Sequence, residues 1–145
     1  MSEDTYHLGV KALIRDVDGN ILLLKVNPAE LKGAKNSDYW DLPGGRVQQG
    51  SNVEETLKRE VEEETNLSDI VVERPVGMVL SNIRIPIDDG TVGLILSTYE
   101  CKMPKNATLK LSKEHISYEW FSPKETAEKL RVKYPVDFCE LIAQL

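Results

Sequence analysis

Residues 44–67 read GGRVQQGSNVEETLKREVEEETNL, and this stretch decides the fold of the chain. Its first seven residues include three glycines and predict a loop, whereas the remainder predicts an acidic helix. Ser51 and Glu54 have the S-x-x-E spacing of a capping box, so we expect the helix to begin at Ser51. Asn66 tolerates the left-handed backbone conformation that closes many helices, so we expect the helix to end there.

One side of this helix is apolar, because Val53, Leu57 and Val61 recur every four residues. That side must face a core, and the charged residues then divide around the helix axis into two sets. The outer, solvated set consists of Glu54, Glu55, Lys58 and Glu62. The set at or inside the edge of the apolar side consists of Glu60 and Glu64, with Glu63 on the other flank of Glu60.

The inward carboxylates need a cation. Three carboxylates half turned toward the protein repel one another, and partial burial of an unpaired charge costs several kcal/mol. Arg59 supplies one positive charge, which cannot balance three negative ones. A hard divalent ion can, and Mg²⁺ is the natural candidate, with Mn²⁺ as a substitute, because it binds carboxylates and then substrate phosphate. The alternative is a salt-bridged surface helix with no metal dependence.

The stretch resembles the Nudix box of the Nudix, or MutT-like, hydrolase family. That pattern has a glycine, a distant Arg-Glu pair, a bulky aliphatic residue, a Glu-Glu pair and a final bulky aliphatic residue. The residues in register are Gly45, Arg59, Glu60, Val61, Glu63, Glu64 and Leu67. Two positions depart from it, because Ser51 replaces the first glutamate of the box and Asn66 replaces its last glycine. The loss of a carboxylate at Ser51 predicts a lower metal count and rate.

The resemblance implies a fold, a reaction and a set of site residues. The fold is of the α/β class, a Nudix-type α/β/α sandwich around a mixed, curved β-sheet. The reaction is Mg²⁺-dependent attack of water on the diphosphate linkage of a nucleoside triphosphate or another nucleoside diphosphate derivative. Glu60, Glu63, Glu64 and the Gly45 carbonyl would hold the ion, and Arg59 would orient Glu60. The competing hypothesis is a catalytically weak or inactive module that senses a nucleotide, which the serine at position 51 favours.

Many Nudix enzymes place one further carboxylate outside the box, often just before an aromatic pair near the end of the sheet. Glu119, followed by Trp120 and Phe121, resembles that arrangement. Glu114 is a rival for the same role. The general base is therefore left open among Glu63 and Glu64 within the box and these outer carboxylates. The two histidines, His7 and His115, are interpreted as surface or strand residues rather than bases.

Three cations are candidates for binding substrate phosphate. Lys32 and Lys35 lie in a polar stretch, residues 27–38, that reads as an exposed loop. Arg84 lies among predicted strands, where it either binds a distal phosphate or occupies an exposed sheet face. Which nucleotide is cleaved is not readable from these residues.

The remaining segments predict a sheet and further helices. Alternating apolar residues over 7–26, broken by Asp-Val-Asp-Gly-Asn, predict a hairpin, and further strands are expected within 70–99 and 117–122. Ser122, Pro123 and Glu125 predict a capped helix start, and residues 135–145 predict a final packing helix.

The length and net charge of the chain limit the number of domains and the kinds of partner that we expect. The 145 residues are expected to form a single domain, 1–145. The formal net charge of −6 argues against extended nucleic acid as a partner and favours a small-molecule nucleotide handled through metal. No signal peptide or apolar run long enough to cross a membrane is evident, so we expect a cytoplasmic protein, for which a homodimer stays open. Cys101 and Cys139 fit that compartment as ordinary thiols.

Overall fold

The computed structural model describes residues 2–30, 39–104 and 107–145. The strands are β1 Tyr6–Arg15, β2 Ile21–Val26, β3 Trp40–Asp41, β4 Gly44–Arg46, β5 Val71–Leu80, β6 Ile85–Ile87, β7 Gly90–Lys102 and β8 His115–Phe121. The helices are α1 Val53–Thr65, α2 Pro123–Lys129 and α3 Val136–Ala143, with 3₁₀ turns at Pro28–Glu30 and Leu130–Val132. The predicted hairpin of β1 and β2 is confirmed, and its turn has Gly19 at φ +83°.

The strands form one mixed sheet, as predicted. Strand β1 runs parallel to β7 over its whole length, whereas the other pairings are antiparallel. Strands β1 and β2 pair beside their hairpin turn and then diverge. The short strands fill the gap, because β3 pairs with β2 and β4 pairs with β1. The glycine loop that leads to α1 therefore starts inside the sheet.

Helices cover both faces of this sheet, which confirms the α/β/α sandwich. On one face Leu57 and Val61 of α1 are fully buried against residues of β1 and β2, as their spacing predicted. On the other face α2 and α3 bury Ala127, Phe138 and Ile142 against a second cluster of sheet residues. No helix in the described part of the chain is both long and apolar enough to cross a membrane.

The expected start of α1 at Ser51 is wrong by two residues. The first helical residue is Val53, and the N-cap is Asn52, whose side-chain oxygen accepts a hydrogen bond from the Glu55 N–H at 2.9 Å. Asparagine caps a helix as well as serine does, and here it takes that position. The expected end at Asn66 is confirmed, because this residue is left-handed at φ 65° and its N–H donates to the Glu62 carbonyl.

The aromatic and capping residues near the C-terminus follow the sequence. Ser122 caps α2 by accepting from the Glu125 N–H, and Pro123 stands in the first turn. Trp40 packs edge to face on Phe121, with ring centroids 5.1 Å apart, and is partly buried against the second cluster.

Candidate functional site

The glycine loop and the last turn of α1 are joined by a buried hydrogen bond. The Gly44 N–H donates to Glu64 Oε1 at 2.7 Å, and Glu64 is only 5% exposed. Gly44 adopts φ +154°, and a Cβ there would overlap the Val10 carbonyl oxygen of β1. Only glycine therefore brings this N–H to the carboxylate.

A second glycine makes room for a second carboxylate. A Cβ on Gly45 would overlap the Glu60 carboxylate, which lies directly against the main chain of β4. The Arg59 Nη2 donates to Glu60 Oε1 at 3.4 Å, which is the orientation that the resemblance implied. Glu63 points outward with its side chain 60% exposed, and Arg59 Nε lies 3.9 Å from its Oε1. Among the carboxylates of the box, Glu64 is therefore the most buried, Glu60 is intermediate and Glu63 is the most exposed.

A β-bulge turns a histidine toward Glu64. Along β8, Glu119 pairs with Leu23 and Ser117 with Lys25, but the register then shifts so that His115 pairs with Val26. Residues directly opposite one another share a face of the sheet, so the shift moves His115 to the face that carries α1. His115 Nδ1 lies 3.5 Å from Glu64 Oε2, and the imidazole is 8% exposed.

Glu114 joins this pair. Among the described residues, one group of ligand atoms from acidic, histidine or cysteine side chains lies within 4.8 Å of one another, and it comprises Glu64, Glu114 and His115. Glu60 and Glu63 stand outside that group. The sequence had placed His115 at the surface or in a strand, and the structure places its side chain in the site.

Burial is the main cause of the shifted pKa values of Glu64, Glu60 and His115. It raises the pKa of Glu64 to about 8, although Lys11 and the Gly44 hydrogen bond oppose that rise. Burial and the neighbouring Glu63 also raise the pKa of Glu60. Burial, assisted by Lys11, lowers the pKa of the His115 imidazole to about 4. Burial therefore favours the uncharged form of both Glu64 and His115 near neutral pH.

Beneath the site lies a buried ionic network. Asp41 Oδ2 accepts from Lys11 Nζ at 3.0 Å and from Lys133 Nζ at 2.6 Å. Its Oδ1 accepts from the Tyr134 hydroxyl at 2.7 Å and from the Leu42 N–H at 2.8 Å. Although burial opposes it, the two ammonium groups hold the pKa of Asp41 below its usual range. The network ties β1 and β3 to the 3₁₀ turn before α3.

The structure does not bring every predicted site residue to this point. Glu119 is exposed and opposes Leu23, so it lies on the sheet face that carries α2 and α3, away from α1. Arg84 forms a bidentate ion pair with Asp4, at 2.8 and 3.0 Å, on the protein surface. Lys32 and Lys35 lie outside the described residues.

The serine that replaces the first glutamate of the box has a local partner. Ser51 Oγ and Thr56 Oγ1 lie 3.0 Å apart, so the hydroxyl at this position bonds to a side chain of α1. Asn66, the other departure, occupies the left-handed helix end that a glycine would otherwise adopt.

The donor set fits a divalent cation. Glu64 is a buried carboxylate that accepts a main-chain N–H bond, and His115 Nδ1 is a buried nitrogen with no hydrogen-bond partner among the residues that the structure describes. Glu60 packs on a glycine whose carbonyl belongs to the same loop. Carboxylate oxygen, carbonyl oxygen and imidazole nitrogen are the ligands that divalent ions take in proteins.

Comparison with known proteins identifies the family of the chain. A family model described as NUDIX domain matches residues 5–138. The nucleoside triphosphatase NudI of Escherichia coli O17:K52:H18 is 30% identical over 112 residues, 74% of this chain and 77% of that protein. A MutT-like protein of Streptomyces ambofaciens is 23% identical over 135 residues, 93% of this chain and 76% of that protein. The crystal structure of the MutT protein from Methanosarcina mazei Go1 superposes with a TM-score of 0.75 at 31% identity, covering 99% of this chain and 97% of that one.

Nudix hydrolases act on small nucleotide substrates and generally use a divalent metal. The match spans most of the described chain, and the box residues Glu60 and Glu64 are held on the glycine loop. The chain therefore belongs to the Nudix hydrolase family, whose members hydrolyse phosphorus-containing anhydrides.

Proposed function

We propose that this chain cleaves the diphosphate linkage of a nucleoside triphosphate, or of another nucleoside diphosphate derivative, in a reaction that depends on Mg²⁺ or Mn²⁺. The observation that carries the proposal is the buried Glu64 carboxylate, fixed by the Gly44 N–H next to Glu114 and His115. A buried carboxyl group whose pKa is strongly raised, next to two further metal-ligating side chains, is more typical of a functional site than of a structural one. The nucleoside triphosphatase NudI, 30% identical to this chain, makes triphosphates the first substrates to test.

In this proposal, different residues of the box would bind the ion and accept the proton. Glu60 and Glu64, with the Gly45 carbonyl, would hold the divalent ion, and Arg59 contacts Glu60 at 3.4 Å. A bound ion would offset negative charge on the phosphoryl oxygens and make water a stronger acid. Glu63, predicted as part of the metal set, is the exposed box carboxylate, and it takes the proton of the attacking water at its side-chain oxygen.

Cations outside the box bind the distal phosphate in this proposal. Lys32 and Lys35 keep the role that the sequence predicted for them. Arg84 already donates to Asp4, so a phosphate at Arg84 would have to displace that carboxylate. The prediction of a cytoplasmic, single-domain protein also stays part of the proposal.

The second candidate function is a nucleotide sensor with little or no turnover. Its support is Ser51, which supplies a hydroxyl bonded to Thr56 where the box has a carboxylate. A sensor would bind metal and nucleotide without cleaving the nucleotide. Changing Ser51→Glu would then restore a carboxylate and raise the rate.

Chromatography of nucleotide products tests both functions. The assay uses nucleoside triphosphates, nucleotide sugars and dinucleoside polyphosphates, with Mg²⁺, Mn²⁺ or a chelator, on the unmodified chain and on Glu64→Gln. We expect cleavage that requires the ion and that falls by about a hundredfold or more in Glu64→Gln. Binding of ion and nucleotide without cleavage would instead favour the sensor.

A further inference from the structure

The imidazole of His115 is a buried group that the proposed reaction does not use. Its side chain is 8% exposed, and Nδ1 has no hydrogen-bond partner within residues 2–30, 39–104 and 107–145. A buried polar atom without a partner costs about 1–3 kcal/mol, so its presence calls for an explanation.

The unpartnered nitrogen faces a carboxylate. Nδ1 and Glu64 Oε2 lie 3.5 Å apart without hydrogen-bond geometry, and Glu114 supplies the third ligand atom of the same group. The other oxygen of Glu64 already accepts from the Gly44 N–H. A cation between these atoms would take the lone pair of the nitrogen and an oxygen of each carboxylate at once.

We propose that His115 Nδ1 is a nitrogen ligand which, with the carboxylates of Glu64 and Glu114, completes a mixed nitrogen–oxygen site for Mn²⁺. This inference rests on the metal site of the proposed function and goes beyond it. The ligands implied by the Nudix resemblance are carboxylates and a carbonyl, all of them oxygen.

A nitrogen ligand changes which ion the site prefers. Mg²⁺ is a hard ion that binds oxygen and keeps several waters, whereas imidazole suits first-row transition ions. Mn²⁺ shares the oxygen ligands of Mg²⁺ but is a first-row transition ion that also takes nitrogen, so an imidazole ligand is expected to favour Mn²⁺ over Mg²⁺. The β-bulge after Ser117 makes this possible, because it turns His115 to the same face as Glu64.

Pulsed electron paramagnetic resonance of the Mn²⁺-loaded protein, without nucleotide, detects such a ligand directly. A coordinated imidazole adds nitrogen modulation to the Mn²⁺ spin echo. The chain has two histidines, so the matched control is His7→Gln, which removes the one that lies beside Arg46 on β1. We expect nitrogen modulation in the unmodified chain and in His7→Gln, and its loss in His115→Gln.

Affinity supplies the second measurement. The signal of unbound Mn²⁺ gives its Kd, and displacement by Mg²⁺ gives the Kd of that ion. We expect His115→Gln to weaken Mn²⁺ binding about tenfold or more, a range that even indirect partners of a metal produce. Mg²⁺ binding should change by about threefold or less, because oxygen ligands remain. Circular dichroism checks the fold of each variant, and the His7→Gln spectrum decides the question even if His115→Gln does not fold.

Absence of nitrogen modulation in His7→Gln, or its survival in a folded His115→Gln, would overturn the inference. Nucleotide cleavage without nitrogen modulation would leave the proposed function standing and remove only the histidine ligand. Nitrogen modulation without cleavage of any substrate would support the ligand and count against the hydrolase.

Discussion

Gly44 and Glu64 stand twenty residues apart in the sequence and are joined by a 2.7 Å hydrogen bond from the Gly44 N–H to Glu64 Oε1. This bond fixes the C-terminal turn of α1 on the loop that precedes the helix. It also leaves the second oxygen of Glu64 directed toward His115. The position of the helix end that carries Glu64 is therefore set by the main chain of the loop and not by the helix alone.

The buried Glu64 carboxyl predicts a pH-dependent stability in the metal-free protein. Its pKa rises on folding from 4.5 to about 8, so between these values the folded state binds more protons and stability falls as pH rises. The pKa of His115 falls on folding from 6.5 to about 4. This shift makes stability rise with pH between these two values and has no further effect above pH 6.5. Above pH 6.5 only the Glu64 effect remains.

We therefore expect the free energy of unfolding, measured by urea in a chelator, to fall by about 2 kcal/mol from pH 6.5 to pH 8. Glu64→Gln keeps an oxygen for the Gly44 N–H and should flatten this dependence. Saturating Mn²⁺ should also remove it, because the ion holds the carboxylate ionised. An equally steep decline in Glu64→Gln would show that another group is responsible.

Alanine is expected to lower activity at one glycine of the loop and stability at another. Gly45→Ala places a Cβ against the Glu60 carboxylate, whose flexible end can move aside, so the loss should fall on activity. We expect kcat to fall about tenfold to a hundredfold with little change in Tm. Gly50→Ala meets no atom within 4 Å but sits at φ +86°, so it should cost about 1–2 kcal/mol of stability and leave kcat unchanged. Parallel losses in both variants would argue against a special role for Gly45.

The sequence predicted the inward face of α1 well, because that face follows from local spacing. Leu57 and Val61 are buried as the apolar period required, and Glu60 and Glu64 are turned inward beside them. The predicted start of the helix was wrong by two residues. Ser51 and Asn52 are both favourable N-cap residues, and a local pattern does not choose between them.

The bulge and the ionic network could not be read from the sequence. Strict alternation puts His115 and Glu119 on the same face, and the register shift that separates them depends on how β8 pairs with β2. Asp41 meets Lys133 across 92 residues, so no local pattern links them. The available signal was Lys11, which interrupts the apolar run of residues 8–14, where a charged side chain needs a buried counterion.

The buried network predicts a large loss of stability when Asp41 loses its charge. Asp41→Asn would leave the ammonium groups of Lys11 and Lys133 buried without a counterion, so we expect the free energy of unfolding to fall by about 3–5 kcal/mol. Tyr134→Phe removes one hydrogen bond and leaves both ion pairs, so it should cost about 1–3 kcal/mol. Urea unfolding at neutral pH compares the two. If Asp41→Asn costs no more than Tyr134→Phe, the ion pairs do not stabilise the fold in this way.

The last prediction separates the two candidates for the carboxylate outside the box. Glu114 belongs to the group with Glu64 and His115, whereas Glu119 lies opposite Leu23 on the face that carries α2 and α3. Because a ligand must reach the ion, Glu114→Gln should lower kcat/KM by about a hundredfold or more, while Glu119→Gln should stay within about twofold of the unmodified chain.

Both changes replace an exposed glutamate by its amide on the same chain, so each is the matched control for the other. The measurement is kcat/KM for the best substrate at saturating Mg²⁺ and again at saturating Mn²⁺, with the Mn²⁺ Kd of each variant. Weaker ion binding in Glu114→Gln alone would place that carboxylate at the metal. A large loss of kcat in Glu119→Gln with unchanged ion binding would instead identify Glu119 as the general base. The substrate would then have to reach around the sheet edge to the face opposite α1.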